Sequence, residues 1–226
     1  MTQVIACSNP EGVILATDSV ATRFDPSGRR VHFTLKKLLR LGSHAVMASA
    51  GAGIGAELGS SFQRFLHERR VVGIEEILGL AVPFLVNEYG RYLRQGVSRP
   101  HYGSAAPEKD SEEAVPLNGV YFIMAGYSFK DRHQPYRLQL LGNDEEGQPI
   151  RSYPETPILV IPRSLSMERR LEAQREGGAS HDQILSLLES FLTKRSTEEK
   201  EVGPPFYFAT ITPGGVREMA RGEKEA

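Results

Sequence analysis

Cysteine is almost absent from this chain of 226 residues: Cys7 stands alone, so no internal disulfide can form. The six histidines, His32, His44, His67, His101, His133 and His181, are scattered without ligand spacing, so no residue is assigned to a metal and no cofactor is expected. No apolar run approaches the ~20 residues needed to span a bilayer. The opening MTQVIACSNPEG lacks the basic start and long apolar stretch of a signal peptide. These absences exclude a membrane partner and point to the cytoplasm. Charge of one sign is lacking too. With 27 Lys and Arg against 28 Asp and Glu, a net charge of -1 and no long basic run, the chain is not a general polyanion binder, and nucleic acid is excluded as its main partner. No internal repeat of solenoid period is present. What remains is the composition of a soluble globular protein, 40% hydrophobic and 24% charged, of a length that suits one domain over 1–226.

The N-terminal part reads as strands in quick succession. Residues 3–8, the turn Asn9-Pro10-Glu11-Gly12 and residues 13–17 form a hairpin signal. Residues 31–41 roughly alternate apolar and polar, and 45–50 are small and apolar. The period then changes. Leu58, Phe62, Phe65 and Leu66 fall at helical spacing and predict a helix over 54–70. A second helix follows Gly73, with Ile74, Ile77, Leu78, Ala81, Leu85 and Tyr89 on one broad apolar surface and Pro83 as a site for a kink. Their short connection predicts an antiparallel helix pair lying on a sheet instead of a strand-helix-strand crossover. Residues 98–118, rich in Pro, Ser, Ala and charge, read as a loop insertion. Strands resume at 120–126, 137–141 and 158–161. Ser180 to Gln183 resembles a capping box for a helix whose face is Ile184, Leu187, Leu188 and Phe191. A last strand at 206–212 meets the turn Pro213-Gly214-Gly215, and the charged residues from Arg217 onward read as a frayed tail. This order predicts sheets sandwiched between helical layers, an α+β class.

Three features could carry chemistry. The first is Thr2, because an initiator Met is normally removed before a small residue. A terminal Thr would own both a hydroxyl and an α-amine of pKa near ~8, able to take that hydroxyl's proton. Many chains begin Met-Thr, so Thr2 alone is unspecific. The second is a pair of charges in apolar strands: Asp18 ends GVILATDSVAT and Lys37 interrupts LKKLLRL. They are either an exposed surface pair or a buried ion pair beside the amine, and in the second case Lys37 would lower the pKa of amine and hydroxyl. The third is Ser49-Ala50-Gly51-Ala52-Gly53, where a strand gives way to a helix and the Gly51 N–H could stabilise an oxyanion. A dinucleotide-binding reading competes for this segment, since Gly51, Gly53 and Ala56 fit G-x-G-x-x-A with Glu75 or Glu76 downstream. That fingerprint belongs in a strand-helix-strand unit, whereas here the helix leads into another helix. Cys7, on the first strand, reads as a small core residue.

Taken together, Thr2, GVILATDSVAT at 12–22, LKKLLRL at 35–41 and ASAGAG at 48–53 resemble the proteasome β-type subunits of the N-terminal nucleophile hydrolases. Asp18 follows Thr2 by 16 residues and Gly51 follows Lys37 by 14, as in that family. The segments Arg99 to Gly103, Ala125-Gly126-Tyr127 and Pro135-Tyr136 are weaker echoes. The resemblance implies a four-layer α/β/β/α sandwich and a threonine peptidase acting on peptides or unfolded proteins. Thr2 would be nucleophile and base, Lys37 and Asp18 would tune protonation, and the Gly51 N–H would form the oxyanion hole. Thr22, Ser49 and Gly53 would line a roomy pocket for the residue before the cut bond. It also implies a homo-oligomeric ring, with an ATPase unfoldase as an open partner. Two family elements are replaced: Ile161-Pro162-Arg163-Ser164 stands for G-S-G, and Glu199 to Pro204 for an acid followed by S-G-G. These departures motivate a second reading, a catalytically silent ring or scaffold subunit of the same fold.

Overall fold

Two apolar runs fold back on each other at the N-terminus because the turn between them is stapled by one side chain. The Asn9 Oδ1 accepts the N–H groups of Glu11 and Gly12, each at 3.0 Å, and joins β1 (Val4–Asn9) to β2 (Gly12–Thr17) in an antiparallel ladder. This computed structural model describes residues 2–25, 29–95, 119–143 and 148–222. Next come a two-stranded hairpin of β3 (Val20–Phe24) and β4 (Arg30–Thr34), then β5 (Leu38–Arg40) and β6 (Ala45–Gly51). Two helices follow, α1 (Ile54–Glu68) and α2 (Ile74–Gln95). The chain continues through β7 (Val120–Tyr127), β8 (Tyr136–Gly142), β9 (Arg151–Ser152), β10 (Ile158–Ile161), α3 (Leu165–Glu176), α4 (His181–Glu198), β11 (Phe206–Thr212) and β12 (Gly215–Arg221). The protein is thus mixed α and β, as expected, with four helices among the described residues. Two five-stranded sheets have the orders β10-β1-β2-β11-β12 and β5-β6-β7-β8-β9. Every ladder described is antiparallel.

Strand alternation sorts the apolar residues into three cores. Val4, Ala6, Val13 and Leu15 face Val46, Ala48, Ala50 and Ile123 of the other sheet. The intervening Ile5, Cys7, Ile14 and Ala16 point away, against Met167 and Leu171 of α3 and Ile184, Leu188 and Leu192 of α4. On the far side, Ala45, Met47, Phe122 and Met124 pack against Leu58, Phe62 and Leu66 of α1 and Ile74, Ile77 and Leu85 of α2. The stacking order is helix pair, sheet, sheet, helix pair. Ala6, Ala48 and Ala50 are among the small residues at the contact between the sheets, while each helix layer is anchored by large side chains such as Phe62, whose burial contributes about 1.5–3 kcal/mol.

Several expectations need correction. Residues 31–41 are not one strand: the chain leaves β4 after Thr34 and re-enters a different sheet at Leu38, with Lys37 in the break. Arg217 to Arg221 are not part of a frayed tail, because β12 pairs with β11 from Gly215 to Arg221, and the expected tail's last residues, 223–226, lie outside the described residues. Two of its charges are engaged, with Lys36 on Glu218 at 2.6 Å and Arg221 on Glu189. The helix α3 escaped prediction because only Met167 and Leu171 of its residues are buried. Pro83 lies inside α2, which runs on to Gln95. The expected insertion at 98–118 and the echo at Arg99 to Gly103 lie outside the described residues.

Candidate active site

At one end of the sandwich β1 begins and β2 ends. The Asp18 N–H donates to the Gln3 carbonyl at 3.1 Å, adding one rung to the ladder beyond Val4 and Thr17. The return bond is made by a side chain: the Gln3 N–H donates to Asp18 Oδ1 at 2.8 Å. The same oxygen accepts Lys37 Nζ at 2.8 Å. Asp18 Oδ2 accepts the Val20 N–H at 2.9 Å, and Lys37 Nζ also donates to the Val20 carbonyl at 2.6 Å. Asp18 is 0% and Lys37 3% exposed, which settles their sequence-level alternatives in favour of a buried pair. Burial pushes the Asp18 carboxyl up, opposed by Lys37 and two amide donors, and pushes the Lys37 ammonium down, opposed by Asp18. A lysine with a lowered pKa releases a proton more readily than one on the surface.

Thr2 immediately precedes Gln3, so the shared Asp18 oxygen places the Lys37 ammonium within one residue of it. Val4 and Ala6 face the other sheet, and continuing this alternation puts the half-buried Thr2 on that face as well. Lys37 immediately precedes β5 of one sheet and Asp18 immediately follows β2 of the other, so their ion pair spans the seam between the sheets.

The turn carrying Asp18 is clamped from the far end of the chain. The Gly203 carbonyl accepts both the N–H of Ser19, at 3.1 Å, and its hydroxyl, at 3.3 Å. The Ser19 carbonyl accepts the Leu35 N–H at 2.8 Å. A Cβ on Gly203 would lie 2.9 Å from Val20 Cγ2, so the close approach needs glycine. Sequence reasoning missed Gln3, Ser19 and Gly203. One available signal was Gln3, a polar residue opening an apolar strand; the contributions of Val20 and Gly203 are backbone groups, which leave no side-chain pattern to read.

Gly51 is held at φ +82, and a Cβ there would sit 2.1 Å from the Gly119 carbonyl oxygen. Amides along β6 point alternately to its two neighbours. The Ser49 N–H donates to the Lys37 carbonyl at 3.1 Å, and the Ala52 N–H to that of Gly119 at 2.9 Å. The Gly51 N–H therefore points away from β7, toward the break before β5 where Lys37 lies. Ser49 turns to the helical side, with its Cβ 3.3 Å from where a Cβ on Gly55 would stand, and Gly53 is the N-cap of α1. Thr22 sits on β3 with its hydroxyl 3.0 Å from His32 Nδ1. Thus Asp18, Lys37 and the residue after Thr2 are directly joined and Gly51 faces the same break, whereas Ser49 on β6 turns to the helical side, Gly53 caps α1 and Thr22 bonds His32, with no contact among the described residues joining these three into one pocket.

Ser164 caps α3 by accepting the Met167 N–H at 3.4 Å. Glu199 pairs with Arg195. Burial raises the Cys7 thiol to about 11, with Arg175 opposing, so it stays protonated near neutrality and cannot serve as a thiolate nucleophile. The dinucleotide context is not met, since β6 and β7 are adjacent and antiparallel and α1 runs into α2. Among the described residues no group of three His, Cys, Asp or Glu is placed to hold a metal, and no helix is long and apolar enough to cross a membrane. Compared with known proteins, the chain matches no family model and no curated protein.

Proposed function

We propose that this protein is a threonine peptidase subunit with an N-terminal nucleophile hydrolase sandwich, hydrolysing peptide bonds after removal of Met1. One observation supports the reading: Asp18 Oδ1 binds both Lys37 Nζ and the N–H of Gln3, the residue that follows Thr2. In the reaction, the Thr2 α-amine takes the hydroxyl proton as Oγ forms a bond to the substrate carbonyl carbon. Lys37 lowers the pKa of both groups, and Asp18 holds Lys37 in place. The Gly51 N–H faces the developing oxyanion. The ammonium returns its proton to the leaving amine as the C–N bond breaks, and water then hydrolyses the Thr2 ester. The chemistry as written uses no metal or organic cofactor.

Intact mass measured together with labelling by a peptide-mimetic β-lactone tests this. Loss of Met1 and label on Thr2, absent in Thr2→Ala, supports it. A chain that has lost Met1 and never takes the label overturns it. The ring, which would hold these sites in a chamber, a cytoplasmic setting and an ATPase unfoldase partner belong to the same proposal. Sedimentation checks the ring, and a stable monomer of 25.0 kDa contradicts it. The second reading, a silent ring subunit, draws on the commitment of Ser164 to capping α3. It expects a ring that assembles but never labels.

A further inference from the structure

Thr17, the last residue of β2, is 0% exposed, and its Oγ1 has no hydrogen-bond partner among the described residues. A buried hydroxyl left unpaired is unfavourable, and an apolar side chain of the same shape would avoid that penalty. Its surroundings say what it could serve. Val13 and Leu15 face the opposite sheet, so Thr17 does too. It stands opposite Val4 on β1 and Tyr207 on β11. Gln3 and Asp18 are the hydrogen-bonded rung at the end of the ladder, which makes Val4 and Thr17 a non-hydrogen-bonded pair, the type whose side chains lie closer. Thr2, two residues before Val4 on the same face, is the diagonal neighbour of Thr17. Such positions are roughly 7–8 Å apart along the backbone, within reach of side chains.

We propose that Thr17 is a positioning residue for Thr2. Unpaired in the chain that retains Met1, its hydroxyl takes up a hydrogen bond to the Thr2 side chain once Met1 is removed, and holds the rotamer from which Oγ attacks. This rests on the peptidase reading and extends it to a hydroxyl outside the Asp18–Lys37 pair. A group kept for position instead of stability leaves a signature that packing alone does not: removing it slows the chemistry while leaving the fold as stable or more so.

The test uses the full chain with Met1 removed and the β-lactone as probe, comparing wild type with Thr17→Val, Thr17→Ala and Thr17→Ser. In Thr17→Val the maximal labelling rate should fall about tenfold, the effect of one hydrogen bond. Its half-saturating probe concentration should stay unchanged, and its thermal midpoint should equal or exceed that of wild type. Thr17→Ala repeats the rate loss with a smaller side chain, and Thr17→Ser restores most of the rate. Equal rates in wild type and Thr17→Val overturn the proposal alone. A rate loss in all three variants that follows the thermal midpoint also overturns it, since that is the mark of packing. A wild type that never labels overturns the peptidase reading and this one with it.

Discussion

Asp18 and Lys37 were legible because charges at the ends of apolar strands need partners, and the structure pairs them with each other at 2.8 Å. The residues that hold this pair in register were not legible, since Ser19 and Gly203 meet through the backbone carbonyl of Gly203. Burial fixes the cost of disturbing the pair. Lys37→Met leaves a carboxylate 0% exposed without its cation, and should destabilise the fold by about 3–5 kcal/mol. Adding Asp18→Asn should restore much of that stability while abolishing the proposed peptidase turnover, so urea midpoints and turnover separate the structural role from the proposed catalytic one. Full stability of the single variant would contradict the buried pair. At Gly51, alanine meets the Gly119 carbonyl at 2.1 Å in a left-handed backbone, and Gly51→Ala should cost ~1–3 kcal/mol or more in thermal denaturation. The raised Cys7 thiol should resist alkylation in the native protein and react on unfolding, which iodoacetamide and mass measurement will check.

Elements were legible where one period ran uninterrupted. The strand at Ile158–Ile161 and the capping box at Ser180 agree with expectation, because each is signalled by residues within a few positions. The strand β12 was not, since its partner β11 and its ion pairs supply the order that its charged sequence conceals. The same holds for the break that carries Lys37, which is set by the different sheets that β4 and β5 join and not by local alternation. One contact between elements titrates. His181 opens α4 against the β1–β2 turn, with its N–H on Glu11 Oε2 at 2.9 Å. Burial lowers its pKa from the ordinary imidazole value, against the pull of Glu11 and Asp182. The unfolded chain therefore binds more protons than the folded one just below that value, and stability should fall as pH drops through it. Urea midpoints at about pH 7.5 and 5.5 should differ more for wild type than for His181→Gln. An equal difference would show that this imidazole does not contribute.

At the scale of the whole molecule, the two sheets meet through small residues, and the Asp18–Lys37 pair joins one sheet to the other. Their spacing therefore sets the geometry of the candidate site. Ala48, 1% exposed and opposite Leu38, lies at that contact. Ala48→Leu should force the sheets apart, costing about 1–3 kcal/mol, and should slow β-lactone labelling more than an equally destabilising change in the α3–α4 core, such as Ile184→Ala. Equal labelling in the two variants would show that the spacing does not govern the site.

The clamp of Gly203 on Ser19 also has a consequence in time. A ribosome-bound chain carrying the first fifty residues already holds Thr2, Asp18 and Lys37, yet it lacks Gly203 and the strand β11 that flanks β2. These long-range pairings form late in a chain made from its N-terminus. A nascent chain thus cannot close this clamp around the Asp18 turn until synthesis is nearly complete.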